Sequence, residues 1–142
     1  MKYGVRTKNI FALKQNKEYV IGKVLVVKLQ ELKHDVLNSA CEIRYKGKRL
    51  IYITDTGSVE HIDAKGLDCY LIEANYKDDA ELDRLIQQDY DEGKEFSHYE
   101  RVRETHLSQE QAIDFLKKNM KDYSVFEFIH KHLEEKKWIL II

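Results

Sequence analysis

The sequence predicts an α+β fold with one dominant sheet and helices mostly on one face of it. Three observations carry that expectation. The first half is a series of short apolar runs with strand periodicity, separated by turn residues. The period then changes to that of amphipathic helices near residue 78, and it returns to strand at residues 124–129. Strands grouped before helices belong to segregated α+β architectures, not to strictly alternating βαβ ones.

Taken in order, residues 10–14 (IFALK) and 17–30 (KEYVIGKVLVVKLQ) read as strands, the second broken at Ile21-Gly22-Lys23. Between residues 23 and 32 the apolar positions are part alternation and part continuous run, as in a well-covered strand. Residues 40–46 (ACEIRYK) alternate cleanly. Gly47-Lys48 supplies a tight turn into residues 49–54 (RLIYIT), so this pair predicts a hairpin. Residues 66–74 (GLDCYLIEA) make another buried strand.

Residues 78–92 place Leu82, Leu85, Ile86 and Tyr90 on one face, with acids early and Gly93 as the stop. That is a helix. Residues 93–105 read as a polar connection. Ser108 then caps a second helix, Gln111 closes the capping box, and Ala112, Ile113, Leu116 and Met120 form its inner stripe. Residues 124–129 (SVFEFI) are the last strand, before an apolar end at 138–142 (WILII).

Composition narrows the function classes. A length of 142 residues predicts a single domain over 1–142, long enough to bury a core. A hydrophobic fraction of 43% beside 35% charged residues places the chain among globular proteins, not disordered ones. The net charge of −1 argues against a phosphate-tracking surface, so nucleic acid is a partner only through some local basic patch. No apolar run reaches the roughly eighteen residues of a membrane helix, and no signal-peptide core is present, so no membrane association and a cytoplasmic location are expected. Cys41 and Cys69 have no C-x-x-C spacing and sit in strand-like runs, where free thiols are expected. The chain has no proline, so its turns rest on Gly, Asn and Asp.

Four polar segments follow strands or precede helices: His34-Asp35-Val36, Thr54-Asp55-Thr56-Gly57, Glu73-Ala74-Asn75-Tyr76, and His106-Leu107-Ser108 with Gln111-Ala112. Loops at strand ends are where a rigid scaffold aims side chains into one site. Each alone has an ordinary reading. Asp55 before Thr56-Gly57 is a common turn residue, His34-Asp35 a common solvated pair, and His106 a common neighbour of a capping serine.

Their order and spacing resemble metallo-β-lactamase-fold hydrolases, especially the ribonuclease Z and phosphodiesterase branch. His34 precedes Asp55 by 21 residues, about one hairpin, and His130 follows His106 by 24, at the end of the next strand. The segment Leu71-Ile72-Glu73-Ala74-Asn75-Tyr76 looks like that branch's Glu-Ala-Thr-Phe segment, and His106-Leu107-Ser108 looks like its His-Ser-Thr loop. The likeness runs from about Lys2 to about His132. It implies that His34, Asp55 and His130 are metal ligands, with Asp55 bridging two ions, and that His106 donates a proton or holds a phosphate oxygen. Asp35, Glu73 and Ser108 accompany them. It also implies half of an αβ/βα sandwich.

The family's His-x-His-x-Asp-His signature, which brings four more ligands, occurs nowhere in the 142 residues. Met1 falls where the second half of a complete member would begin. Each ion would keep two ligands from this chain, fewer than the three or more of ordinary zinc sites. Two flanks also depart from the family: Leu37-Asn38-Ser39-Ala40 replaces a Pro-Asn-x-Gly turn, and Lys131-His132 replaces Leu/Phe-Ser. No cofactor is therefore expected on the chain alone, and Zn²⁺ or Mn²⁺ only if a partner completes the site.

Half a sandwich leaves one apolar sheet face to be covered, by a second copy in a homodimer or by another protein. Two functional expectations follow. One is a truncated, non-catalytic derivative with a vestigial His106, reused as an interaction or inhibitor protein, with a phage or mobile element as a source. The other is a half-subunit of a metal-dependent phosphodiesterase or nuclease whose His-x-His-x-Asp-His half comes from another chain.

Overall fold

The computed structural model describes residues 12–22 and 25–131. Six strands form one mixed sheet in the order of the chain. Strands β1 (Glu18–Ile21), β2 (Leu25–Glu31), β3 (Ser39–Tyr45) and β4 (Lys48–Ile53) make an antiparallel meander. Strands β5 (Cys69–Glu73) and β6 (Val125–Ile129) then add in parallel to β4. Helices α1 (Asp79–Asp91), α2 (His98–Thr105) and α3 (Gln109–Asn119) lie between β5 and β6. No helix among the described residues is long and apolar enough to cross a membrane.

This topology has one consequence for function. Strands β2, β4, β5 and β6 all run the same way, so the chain leaves each of them at the same edge of the sheet. The segments after Glu31, Ile53, Glu73 and Ile129 therefore converge there.

Gly22 ends the first strand in the left-handed region, at φ 66°, where the sequence predicted the break. The predicted hairpin turns at Lys46-Gly47, one residue earlier than expected. Both residues have positive φ, 48° and 76°, the type I′ geometry that matches the twist of two-residue hairpins. Residues 12–14 of the expected first strand are not in a strand, and residues 10 and 11 lie outside the described residues, as do the 138–142 segment and His132.

Alternation along the strands separates two faces. One face carries Ala40, Ile51, Ile53, Tyr70 and Ile72, all essentially inaccessible, and packs with Leu107, Ala112, Phe115 and Leu116. The α3 stripe thus includes Phe115, whose ring meets Tyr70 edge-on at 6.5 Å, in place of the predicted Ile113, which is only half-buried. Met120 packs at its margin. The opposite face presents Leu25, Leu29, Cys41, Ile43, Leu50, Tyr52, Cys69, Leu71 and Val125, and no helix among the described residues packs on it. Both thiols are free, and burial pushes them above the ordinary thiol range.

Tyr70 ties the far edge of the core together. Its hydroxyl lies 2.7 Å from the Ala64 carbonyl and 2.9 Å from that of Asn119, and it accepts from the Leu67 amide at 3.1 Å. Tyr70→Phe leaves these partners without their shared contact in a dry setting. It is expected to lower unfolding stability by about 1–3 kcal/mol, read by urea denaturation. A change under about 0.5 kcal/mol would show that the loop re-pairs with water.

The sequence read residues 93–105 as a polar connection, and the structure corrects this: residues 98–105 are helix α2. Of its eight residues only Thr105 is buried, so no apolar stripe announces it. Ser97 caps it, accepting from the Tyr99 amide and donating to buried Asp89 at 2.6 Å. The ends of α1 follow expectation: Asp78 accepts from the Glu81 amide at 2.8 Å, and Gly93 lies at φ 82°.

Candidate metal centre

The shared sheet edge is a cluster of carboxylates and imidazoles. Asp55, Glu73, His106 and His130 each offer one donor atom, and the four atoms lie within 4.8 Å of one another. His130 Nδ1 is 3.0 Å from Asp55 Oδ1, 3.0 Å from Thr54 Oγ1 and 3.4 Å from Glu73 Oε2. His106 Nδ1 is 3.4 Å from Glu73 and 3.8 Å from Asp55 Oδ1. The His106 and His130 rings meet edge to face at 5.2 Å.

Each donor is placed by its backbone. Asp55 follows β4 and His130 follows β6, and both stand in the left-handed region, at φ 55° and 51°. Those two reversals turn the chain back at the sheet edge. His106 is the C-cap of α2, with its amide on the Val102 carbonyl. Glu73 is the last residue of β5 and is completely buried.

Glu73 is the organising group. One carboxylate oxygen accepts from the Asp55 amide and the other from the Leu107 amide at 2.6 Å. A buried carboxylate is tolerable only with such partners. It fixes the turns that carry Asp55 and His106 before any ion is present.

His34 reaches the same edge from the loop after β2, its ring 5.8 Å from that of His106, but it stands outside the four-donor group. Its Nδ1 lies 2.7 Å from Asp35 Oδ1 and 3.3 Å from the Val36 amide. Asp35 binds Arg101 of α2, which holds its carboxyl below the usual carboxylate range. Ser108 faces the helix: its hydroxyl accepts from Gln111 at 3.1 Å and its amide donates to the Gln111 side chain at 2.8 Å.

The structure brings four possible donors together at this edge, Glu73 and His106 standing with Asp55 and His130. Two imidazoles and two carboxylates suit Zn²⁺ or Mn²⁺ by donor type. Glu73, which the sequence reading placed beside the site, is the acid ending an apolar strand, a place where a carboxylate is buried only with partners.

The profile of the beta-lactamase superfamily domain matches residues 5–130. No curated protein matches the sequence. Among solved structures, the short form of human tRNase Z superposes with a TM-score of 0.51 at 16% identity, over 78% of this chain and 41% of that one. Zn²⁺-bound PqqB from Methylobacterium extorquens superposes with a TM-score of 0.53 at 19% identity, over 84% of this chain and 39% of that one. The chain spans about two-fifths of the length of either neighbour.

Proposed function

We propose that this chain, which belongs to the beta-lactamase superfamily, supplies one half of the metal centre of a metal-dependent phosphodiesterase. The observation that carries the reading is the convergence of Asp55, Glu73, His106 and His130 at one sheet edge, donor atoms within 4.8 Å. His34 stands beside them. A fold under no chemical demand has little reason to crowd two imidazoles and an aspartate against a fully buried glutamate.

Three or more donors meet the usual requirement for holding zinc, and a bound ion would polarise a phosphoryl oxygen or activate water. Hydrolysis in this family style calls for the further histidines and aspartate of the His-x-His-x-Asp-His signature. In this reading they come from another polypeptide segment packed against the apolar sheet face.

Calorimetric titration of the purified chain with Zn²⁺ tests the proposal. About one ion per chain is expected, with Asp55→Ala and His130→Ala each weakening binding by at least about tenfold. Turnover of a simple phosphodiester should appear only when a protein carrying the missing signature is added. A wild-type chain that takes up no zinc or manganese would sink the reading.

The interaction-protein reading, with a second copy as the cover, is favoured by a different observation. The apolar face holds a groove of about 710 Å³ with Ile43, Leu50, Cys69 and Val125 among its lining and exposed Tyr45 and Tyr123 beside them. Sedimentation of the chain alone separates the readings: a stable dimer without metal supports this one.

A further inference from the structure

We infer that the last turn of α2 is a clamp that sets the relative positions of three site loops, and that Arg101 is a positioning residue for His34, acting through Asp35. Four contacts within residues 101–106 point to this. The Arg101 guanidinium binds Asp35 Oδ2 through Nε at 2.9 Å and also through Nη2, while Asp35 Oδ1 sits 2.7 Å from His34 Nδ1. The Glu104 carbonyl lies so close to Gly57 that a Cβ there would stand 1.9 Å from its oxygen, so the Thr54–Gly57 loop is seated on the helix backbone. The helix ends directly in His106, whose amide bonds Val102, while Thr105 Oγ1 donates to the Arg101 carbonyl at 2.7 Å.

These contacts explain a helix that has no apolar reason to exist. Among its residues only Thr105 is buried, and apart from half-buried Tyr99 and Val102 its sequence is polar. Isolated helices this short are not stable, so tertiary contacts must hold it. Besides the Arg103 ion pairs to Asp79 and Asp83 and the Tyr90–Glu100 hydrogen bond, which tie it to α1, its contacts run to the loops of His34 and Asp55, and it carries His106 itself.

Arg101 is suited to the task. Its planar fork fixes an orientation that a lysine point charge does not. With Asp35 held by Arg101, His34 Nδ1 is engaged locally and its ring is kept against His106. The geometry stands without metal; its consequence for ion affinity rests on the half-site reading above.

The test uses the full chain with Arg101→Ala, Arg101→Lys, Asp35→Ala and the double alanine variant. In metal-free protein, nuclear magnetic resonance should show the His34 and His106 ring signals shifting together in Arg101→Ala and in Asp35→Ala. The double variant should be no worse than either single one, and lysine should restore the signals only in part. Zinc affinity should fall about tenfold in each alanine variant, as for other groups that orient a ligand. The melting temperature should move only a few degrees, since the pair is exposed. Unchanged His34 signals in Arg101→Ala and Arg101→Lys would overturn the inference, as would losses that simply add in the double variant. A wild-type chain that binds no zinc would instead sink the half-site reading, while the ring signals still judge the clamp.

Discussion

Glu73→Ala is expected to be the most damaging single substitution at the site, lowering unfolding stability by about 3–4 kcal/mol. The side chain is completely inaccessible, and its two oxygens serve the Asp55 and Leu107 amides. Alanine removes both acceptors at once and leaves His106 and His130 without the carboxylate 3.4 Å away. Glu73→Gln should cost less, about 1–2 kcal/mol, because one carbonyl oxygen remains while the amide nitrogen is set against a backbone donor. Chemical denaturation measures both. A loss below about 1 kcal/mol for the alanine variant would mean that water replaces the carboxylate, and Glu73 would lose its organising role.

Gly57→Ala is expected to be nearly as severe, for a purely steric reason. The added methyl would meet the Glu104 carbonyl oxygen at 1.9 Å and its carbon at 2.7 Å, both of them backbone atoms that cannot swing aside. Either the loop or the end of α2 must move. Overpacking of this kind costs about 2–4 kcal/mol. Because His106 follows that turn, zinc binding should weaken in whatever folded protein remains. Thermal melting and zinc titration of the variant check both parts, and a variant that melts with the wild type would show that the two segments part easily.

The sheet was largely legible in the sequence because its signals are local. The break at Gly22, the alternation of residues 40–46 and the apolar run ending at Glu73 each follow from strand periodicity and turn chemistry. The capping box at Ser108 and Gln111 is likewise written within four consecutive positions. Helix α2 was not legible, since periodicity finds helices by their buried stripe and this one has none. Its one local sign was the Ser97-x-x-Glu100 spacing, a capping-box signature in a stretch otherwise read as a loop.

The site divides in the same way. Asp55 and His130 could be named from their places after strands, His106 from its place before a helix, and all three from family likeness. Their grouping with Glu73 could not, because it depends on β4, β5 and β6 lying side by side in parallel, a long-range pairing. His34 adds a long-range contact of its own. The likeness implied a ligand there, and nothing in the sequence signalled its link through Asp35 to Arg101 of α2, which the structure shows beside the four donors.

The two left-handed residues of the site, Asp55 and His130, have an evolutionary corollary. At 55 and 130 the cheapest occupant is glycine, and a side chain there costs on the order of 1 kcal/mol. Selection for robustness alone would hollow out both corners, and an engineer seeking a tougher chain would begin by erasing them. Such a chain would keep its architecture and lose two of the four donor side chains gathered at this edge.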